Sequence, residues 1–155
     1  MPRISQGVTA DELRRRMQHF EEACRAAGVK LTPQRLEVFR EVARSTDHPD
    51  AETVLAGVRA RIPSMSLDTV YRTLWMLTEL NLVGTLGPAR ARTRFDANLT
   101  RHHHFVCTRC GLTRDFESPV LDALPVPEAA AAFGEVEATQ VEVRGVCTRC
   151  AKRRA

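Results

Sequence analysis

The 155-residue chain contains no long apolar run, no signal-peptide pattern, no internal repeat and no low-complexity linker. The first two absences speak against a membrane span and against export, so a soluble, cytoplasmic protein is expected. A large excess of one charge is also missing. With 23 basic and 19 acidic residues, the net charge of +4 and pI near 9.1 form a mild basic bias. That bias suits nucleic acid but is shared by many ordinary proteins. At 43% hydrophobic residues a core can form, in one medium domain or two small ones.

Cysteine is scarce, yet four of its five positions are patterned. Cys107 and Cys110 repeat their spacing at Cys147 and Cys150, and two such Cys-x-x-Cys clips fit a closed tetrahedral zinc site of four cysteines. In a chain without an export signal the pattern points to reduced metal thiolates, not disulfides. The 36 residues between the clips exceed the loop of a small zinc ribbon, so the ion would staple distant segments in a structural role. Cys24 is left over. It falls on the apolar stripe of a predicted helix and is expected to be a buried thiol.

Four helices are expected in the first half. Thr9 and Glu12 form a capping box ahead of Leu13, Met17, Phe20, Cys24 and Ala27, and Gly28 ends that pattern. Arg14, Arg15 and Arg16 lie off the stripe, as a solvated face or as phosphate contacts. Thr32 and Pro33 open a second helix with Leu36, Phe39, Val42 and Ala43 inward. Asp50 caps a third, carrying Val54, Leu55, Val58 and Ile62 until Pro63, and Ser66 starts a fourth around Val70, Leu74, Leu77 and Leu80.

Residues 82–86 and 93–95 are expected as strands joined through Gly87, Pro88 and Ala89. This order predicts a winged helix-turn-helix whose fourth helix enters the DNA major groove, with Thr69, Tyr71 and Arg72 projecting near its start. Arginine can pair with guanine or phosphate, and tyrosine can pack on a thymine methyl.

The second half is expected to hold a hairpin of residues 102–106 and 112–116, turned at Gly111, and short helices at 120–124 and 128–133. A strand over 135–146 would deliver Cys147 and Cys150, and the tail Lys152, Arg153, Arg154 would be mobile. His102 and His104 are two apart, which puts both imidazoles on one face of a strand. His103 faces the other way and is expected not to be a ligand. His48, Asp96 and Asp115, at loop and strand ends, could complete a set that suits iron(II), manganese(II) or zinc(II) better than a thiolate-seeking ion. A metalloenzyme could use such residues to activate water, but five protein donors leave little open coordination, so no enzyme is expected. A zinc-ribbon scaffold with incidental histidines would bind one metal per chain instead of two.

Six motifs in fixed order now stand out: Leu31-Thr-Pro-Gln-Arg35, His48-Pro-Asp-Ala-Glu52, Thr69-Val-Tyr-Arg-Thr-Leu74, Arg94-Phe-Asp96, the His-x-His-x-x-Cys-x-x-Cys-Gly run ending at Gly111, and the final Cys-x-x-Cys. Across residues 31–150 the chain resembles the ferric uptake regulator (Fur) superfamily of metal-dependent repressors. The resemblance implies an α+β protein with a winged-helix DNA-binding domain and hinge over 1–92 and a small α/β dimerisation domain over 93–155. It implies a cytoplasmic homodimer on palindromic double-stranded DNA, with no membrane partner.

Carried over by position, Cys107, Cys110, Cys147 and Cys150 match the structural zinc. His48, Asp96, His102, His104 and Asp115 match the regulatory site, for Fe2+ or Mn2+. Thr139 stands where some members carry a histidine of a further site. Aspartate at both 96 and 115 resembles the peroxide-responsive (PerR-like) branch, in which iron(II) would lead to oxidation of His48 or His102. Tyr71-Arg72-Thr73 is closer to iron and zinc sensors, which keeps an iron, manganese or zinc uptake regulator as the alternative.

Overall fold

The computed structural model describes residues 7–87 and 92–153 and divides into two compact units, Gly7–Leu99 and one running from Thr100. The first unit is built from α1 (Ala10–Ala26), α2 (Pro33–Arg44), α3 (Ala51–Arg59) and α4 (Leu67–Glu79), followed by the antiparallel pair β1 (Gly84–Leu86) and β2 (Arg94–Asp96). Every expected N-cap is made. The side-chain oxygens of Thr9, Thr32, Asp50 and Ser66 accept from the backbone N–H of Glu12, Arg35, Thr53 and Thr69, which satisfies donors that a helix start would otherwise leave orphaned. Gly28 adopts φ +67° just beyond α1, a left-handed turn that suits glycine.

The apolar stripes meet in one core that includes Phe20, Cys24, Val38, Phe39, Val54, Val58, Val70, Leu74, Leu77 and Phe95. Phe20 and Phe39 stack with ring centroids 4.6 Å apart, joining α1 to α2. Cys24 is fully buried, and burial pushes its thiol pKa up. Arg16 contributes to this packing: its guanidinium donates to the Ala43 carbonyl at 2.9 Å and pairs with Glu12, so it belongs neither to a solvated face nor to a phosphate contact. Arg14 and Arg15 do stand exposed, paired with Asp11 and Glu12.

The second unit contains β3 (His103–Cys107), β4 (Thr113–Phe116), α5 (Pro119–Asp122), α6 (Glu128–Ala131), β5 (Glu142–Gly145) and α7 (Thr148–Lys152). Its sheet runs β4-β3-β5, antiparallel on one side of β3 and parallel on the other. Gly111, at φ +70°, turns the hairpin between β3 and β4.

Several boundaries differ from the sequence expectation. The strand expected over 135–146 forms only at Glu142–Gly145, where β3 offers a ladder; residues 135–138 are exposed. Lys152 belongs to α7, not to a mobile tail. The third helix ends at Arg59, and β1 starts at Gly84 because Leu82 and Val83 are buried against the helices. The compact units part between Leu99 and Thr100 instead of between 92 and 93, since β2 is hydrogen-bonded to β1. Pro88 and Ala89 of the expected turn, and Arg154 of the tail, lie outside the described residues.

A polar lock joins α2 to the end of α3. Glu41, only 8% exposed, pairs with Arg61 and Arg44, and Glu37 pairs with Arg61 and Arg40. Gly57 leaves room for it: an added Cβ would stand 2.6 Å from the Glu41 carboxyl carbon. Helix propensity favours alanine over glycine by about 1 kcal/mol, so the sign of Gly57→Ala is informative. The variant should be destabilised by ~1–2 kcal/mol because Glu41 must leave its partners. Urea unfolding measures this; a stabilised variant would mean that Glu41 moves aside freely.

Candidate metal centres

The four clip cysteines converge. Their sulfurs lie within 4.8 Å of one another, close enough to hold one ion. Cys107 ends β3, Cys110 follows in the turn before Gly111, Cys147 precedes α7 and Cys150 lies within it. The parallel pairing of β3 with β5 brings the clips together, and the Thr108 N–H donates to the Gly145 carbonyl at 2.8 Å.

The donor chemistry fits a thiolate-binding ion. The Cys147 N–H donates to Cys107 Sγ at 3.3 Å, and this bond, then one from the Cys110 N–H, pulls the Cys107 thiol down to about 6. A hydrogen bond from the Leu112 N–H lowers Cys110 as well. Cys150 is pushed up to about 12, chiefly by its hydrogen bond to Cys110 and then by that to Cys147, so without an ion it keeps its proton for its neighbours.

The five residues expected to form a second centre divide between the two units. In the second, His102 and His104 bring their Nε2 atoms to 3.1 Å, and Asp115 Oδ1 lies 3.4 Å from His104 Nε2 and 3.8 Å from His102 Nε2. Asp115 is the cross-strand partner of His104. His102 Nδ1 lies 2.6 Å from the Thr100 carbonyl, which can only accept. The proton therefore sits on Nδ1 in the neutral ring, and Nε2 keeps the lone pair a metal needs.

In the first unit, the Phe95 N–H donates to the Pro49 carbonyl at 3.0 Å and Arg94 donates to the Asp47 carbonyl at 3.2 Å. These bonds fasten the 47–50 loop along β2, and His48, at φ +52°, stands with Nε2 3.3 Å from Asp96 Oδ2. Asp96 Oδ1 accepts from the Asn98 N–H at 2.8 Å.

His103 points elsewhere. It is fully buried, its Nδ1 accepts from the Val141 N–H at 3.2 Å, and its Nε2–H donates to Asp122 Oδ1 at 3.1 Å. With both nitrogens used, it has no lone pair for an ion. Asp122, a residue the sequence did not single out, also pairs with Arg101. Only the tertiary placement of α5 reveals that role.

Tyr71 and Arg72 project from α4. Tyr71 is exposed, and Arg72 pairs with exposed Asp68 at 2.9 Å. Thr69 is half-buried and shares a hydroxyl contact of 2.9 Å with Ser66. Two further features escaped the sequence reading. Trp75, one turn beyond Tyr71, is exposed and packs edgewise on Phe95. Gln34 and Arg35 of α2 border the same surface cleft, of about 340 Å³, as Thr69 and Arg72.

The profile of the Ferric uptake regulator family matches residues 26–144. The peroxide operon regulator of Bacillus subtilis is 32% identical over 146 residues, 94% of this chain and 98% of its own length. The chain belongs to the ferric uptake regulator family. It is thus a metal-responsive regulator of transcription with an α+β fold. The Helicobacter pylori ferric uptake regulator has the same fold, with a TM-score of 0.71 at 20% identity, covering 94% of this chain and 97% of its own. A peroxide stress regulator from Campylobacter jejuni aligns with a TM-score of 0.60 at 26% identity, over 86% of this chain and 98% of its own.

The thiol shifts dictate how this family member responds to pH once a chelator has removed metal. Cys107 has a folded pKa near 6 against 9.0 in the open chain, so its contribution is present above 9 and is lost as pH falls toward 6. Cys150, raised to about 12, contributes below 9 and loses that contribution as pH rises toward 12. Urea midpoints in chelator should therefore rise from pH 6 to 9 and fall above it; a profile that falls from 6 to 9 would contradict the assignment.

Proposed function

We propose that this protein is a DNA-binding repressor that holds structural zinc on Cys107, Cys110, Cys147 and Cys150 and senses peroxide through iron(II) on His48, Asp96, His102, His104 and Asp115. The observation that carries the reading is the convergence of His102, His104 and Asp115, with the His102 tautomer already set for a metal. Three imidazoles and two carboxylates form the mixed donor set that iron(II) and manganese(II) prefer. Similarity to the Bacillus subtilis peroxide operon regulator supports the peroxide branch.

On this reading the first unit is the winged helix-turn-helix, with α4 as its reading helix and β1–β2 as the wing. The second is the dimerisation domain. Exposed Val120, Leu124, Val126, Phe133 and Val136 leave it an apolar surface that suits burial against a second copy. Two reading helices related by a dimer axis match a palindromic operator, with affinity falling steeply as salt rises. No helix among the described residues is long and apolar enough to cross a membrane, which accords with a cytoplasmic regulator.

DNA reading is tested with Tyr71→Ala and Arg72→Ala, each of which should cost about 1–3 kcal/mol of specific binding and leave the dimer intact. Gel-shift titration against operator and scrambled DNA measures it. Parent protein that binds both equally would rule out sequence reading.

The regulatory ligands come from both units, so an ion that prefers their closed arrangement favours the DNA-binding form. A swing from 1:99 to 99:1 requires about 5.5 kcal/mol of differential affinity. Held by these residues, iron(II) would start cleavage of the peroxide O–O bond by one-electron donation, which manganese(II) does far less readily; in the net reaction the imidazole gives up two electrons and gains one peroxide oxygen, and the other oxygen leaves as water. Oxidation of His48 or His102 removes a donor and releases DNA.

The iron and manganese forms, given equal low peroxide, should differ. Mass spectrometry should find one added oxygen on His48 or His102 peptides of the iron form only. An iron form that stays unmodified and DNA-bound would exclude peroxide sensing and favour a plain iron uptake regulator, a reading that Tyr71-Arg72-Thr73 supports. Asp115→Glu should shift the protein in that direction.

A further inference from the structure

The two clips are the same tetrapeptide, Cys-Thr-Arg-Cys, at 107–110 and 147–150. A tetrahedral site needs the four sulfurs and nothing particular between them, so the repeated Thr-Arg has no role in ligation itself. The geometry gives it one. Arg109 extends from the first clip to the second, where its guanidinium donates to the Cys150 carbonyl at 3.2 Å. Arg149 lies between Cys147 and Cys150 in the second clip, and its positive charge and the Cys110 thiolate favour one another. Each arginine therefore engages the second cysteine of the other clip, Arg109 through a hydrogen bond and Arg149 through its charge. Four thiolates around one zinc(II) leave a formal charge of −2, and two guanidiniums bring +2 beside it.

We propose that Arg109 and Arg149 are positioning residues of the four-cysteine centre, crossed between the clips to offset its charge and slow the loss of its ion. The inference rests on the zinc reading above. Its chemistry is that of outer partners, which orient ligands and hold their charge, and whose removal commonly costs 10–100-fold in metal affinity. Arg109 adds a mechanical part, because it ties the Cys150 carbonyl, near the end of α7, to the first clip. Both arginines are exposed, so salt should weaken their effect.

The test uses the full-length zinc-loaded protein and follows transfer of zinc to a chromophoric chelator at constant pH. Arg149→Gln should speed transfer roughly tenfold, Arg109→Gln by a comparable factor, and Arg149→Lys should restore most of the parent rate. Circular dichroism before mixing checks that each variant is folded. Raising the ionic strength should speed release from the parent, a measurement that stands even if a variant folds poorly, and should change Arg149→Gln little. Equal rates for parent and Arg149→Gln would overturn the proposal. So would equal acceleration by Gln and Lys, which would mean shape and not charge. A parent that binds no zinc would instead defeat the four-cysteine reading, and the two failures are distinguishable by metal content alone.

Discussion

The second unit depends on its sulfur cluster because it has little else to hold it. The buried apolar cluster lies within residues 20–97, and beyond it only Cys107 and Cys147 are buried hydrophobics among the described residues. Strands of four and five residues bury little surface against the conformational entropy of ordering them. Small units of this kind need a staple, and structural zinc can supply on the order of 10 kcal/mol of folding free energy. Everything else in the unit follows from that closure. The clips tie β3 to β5, and β3 carries His102 and His104 at its other end.

A second constraint acts on the opposite face of β3. Successive side chains of a strand alternate, so the chain that turns His102 and His104 one way must turn His103 the other. A buried imidazole is costly unless both nitrogens are satisfied. Asp122 and the Val141 N–H satisfy them, and they join α5 and the approach to β5 to the strand that carries His104. Asp122 is itself held by Arg101, one residue before His102. The pair His102 and His104 is thus fixed from behind by hydrogen bonds and from below by the clips.

The local features were legible in the sequence and the non-local ones were not. Thr9, Thr32, Asp50 and Ser66 read correctly as caps because a cap is decided within three residues. The Cys-x-x-Cys spacing and the two-residue separation of His102 and His104 carry their chemistry in the same short range. The stretch 135–141 alternates as a strand should, yet it lies beyond the ladder of β3, and alternation cannot say where a partner ends. The partners of Glu41, Arg16 and His103 are 19 to 38 residues away, or lie across a helix pair, and no periodicity announces them.

The regulatory residues, in the proposed role, show why one methylene matters. Asp115 sits opposite His104 in the register of β3 and β4, so its backbone is fixed and only side-chain length sets the reach of the carboxylate. At aspartate length Oδ1 already lies 3.4 Å and 3.8 Å from the two Nε2 atoms. A donor on so short a tether cannot follow an ion that moves, whereas glutamate has one more torsion with which to adapt. A rigid carboxylate and two imidazoles, that of His102 in a set tautomer, would hold an ion at one distance, which favours discrimination by geometry over discrimination by affinity, and by affinity zinc would outcompete iron(II) and manganese(II) at any nitrogen and oxygen site. Selectivity for a more weakly bound ion must therefore come from the fixity of β3, and that fixity comes from the two constraints already on it, the clips at one end and His103 behind.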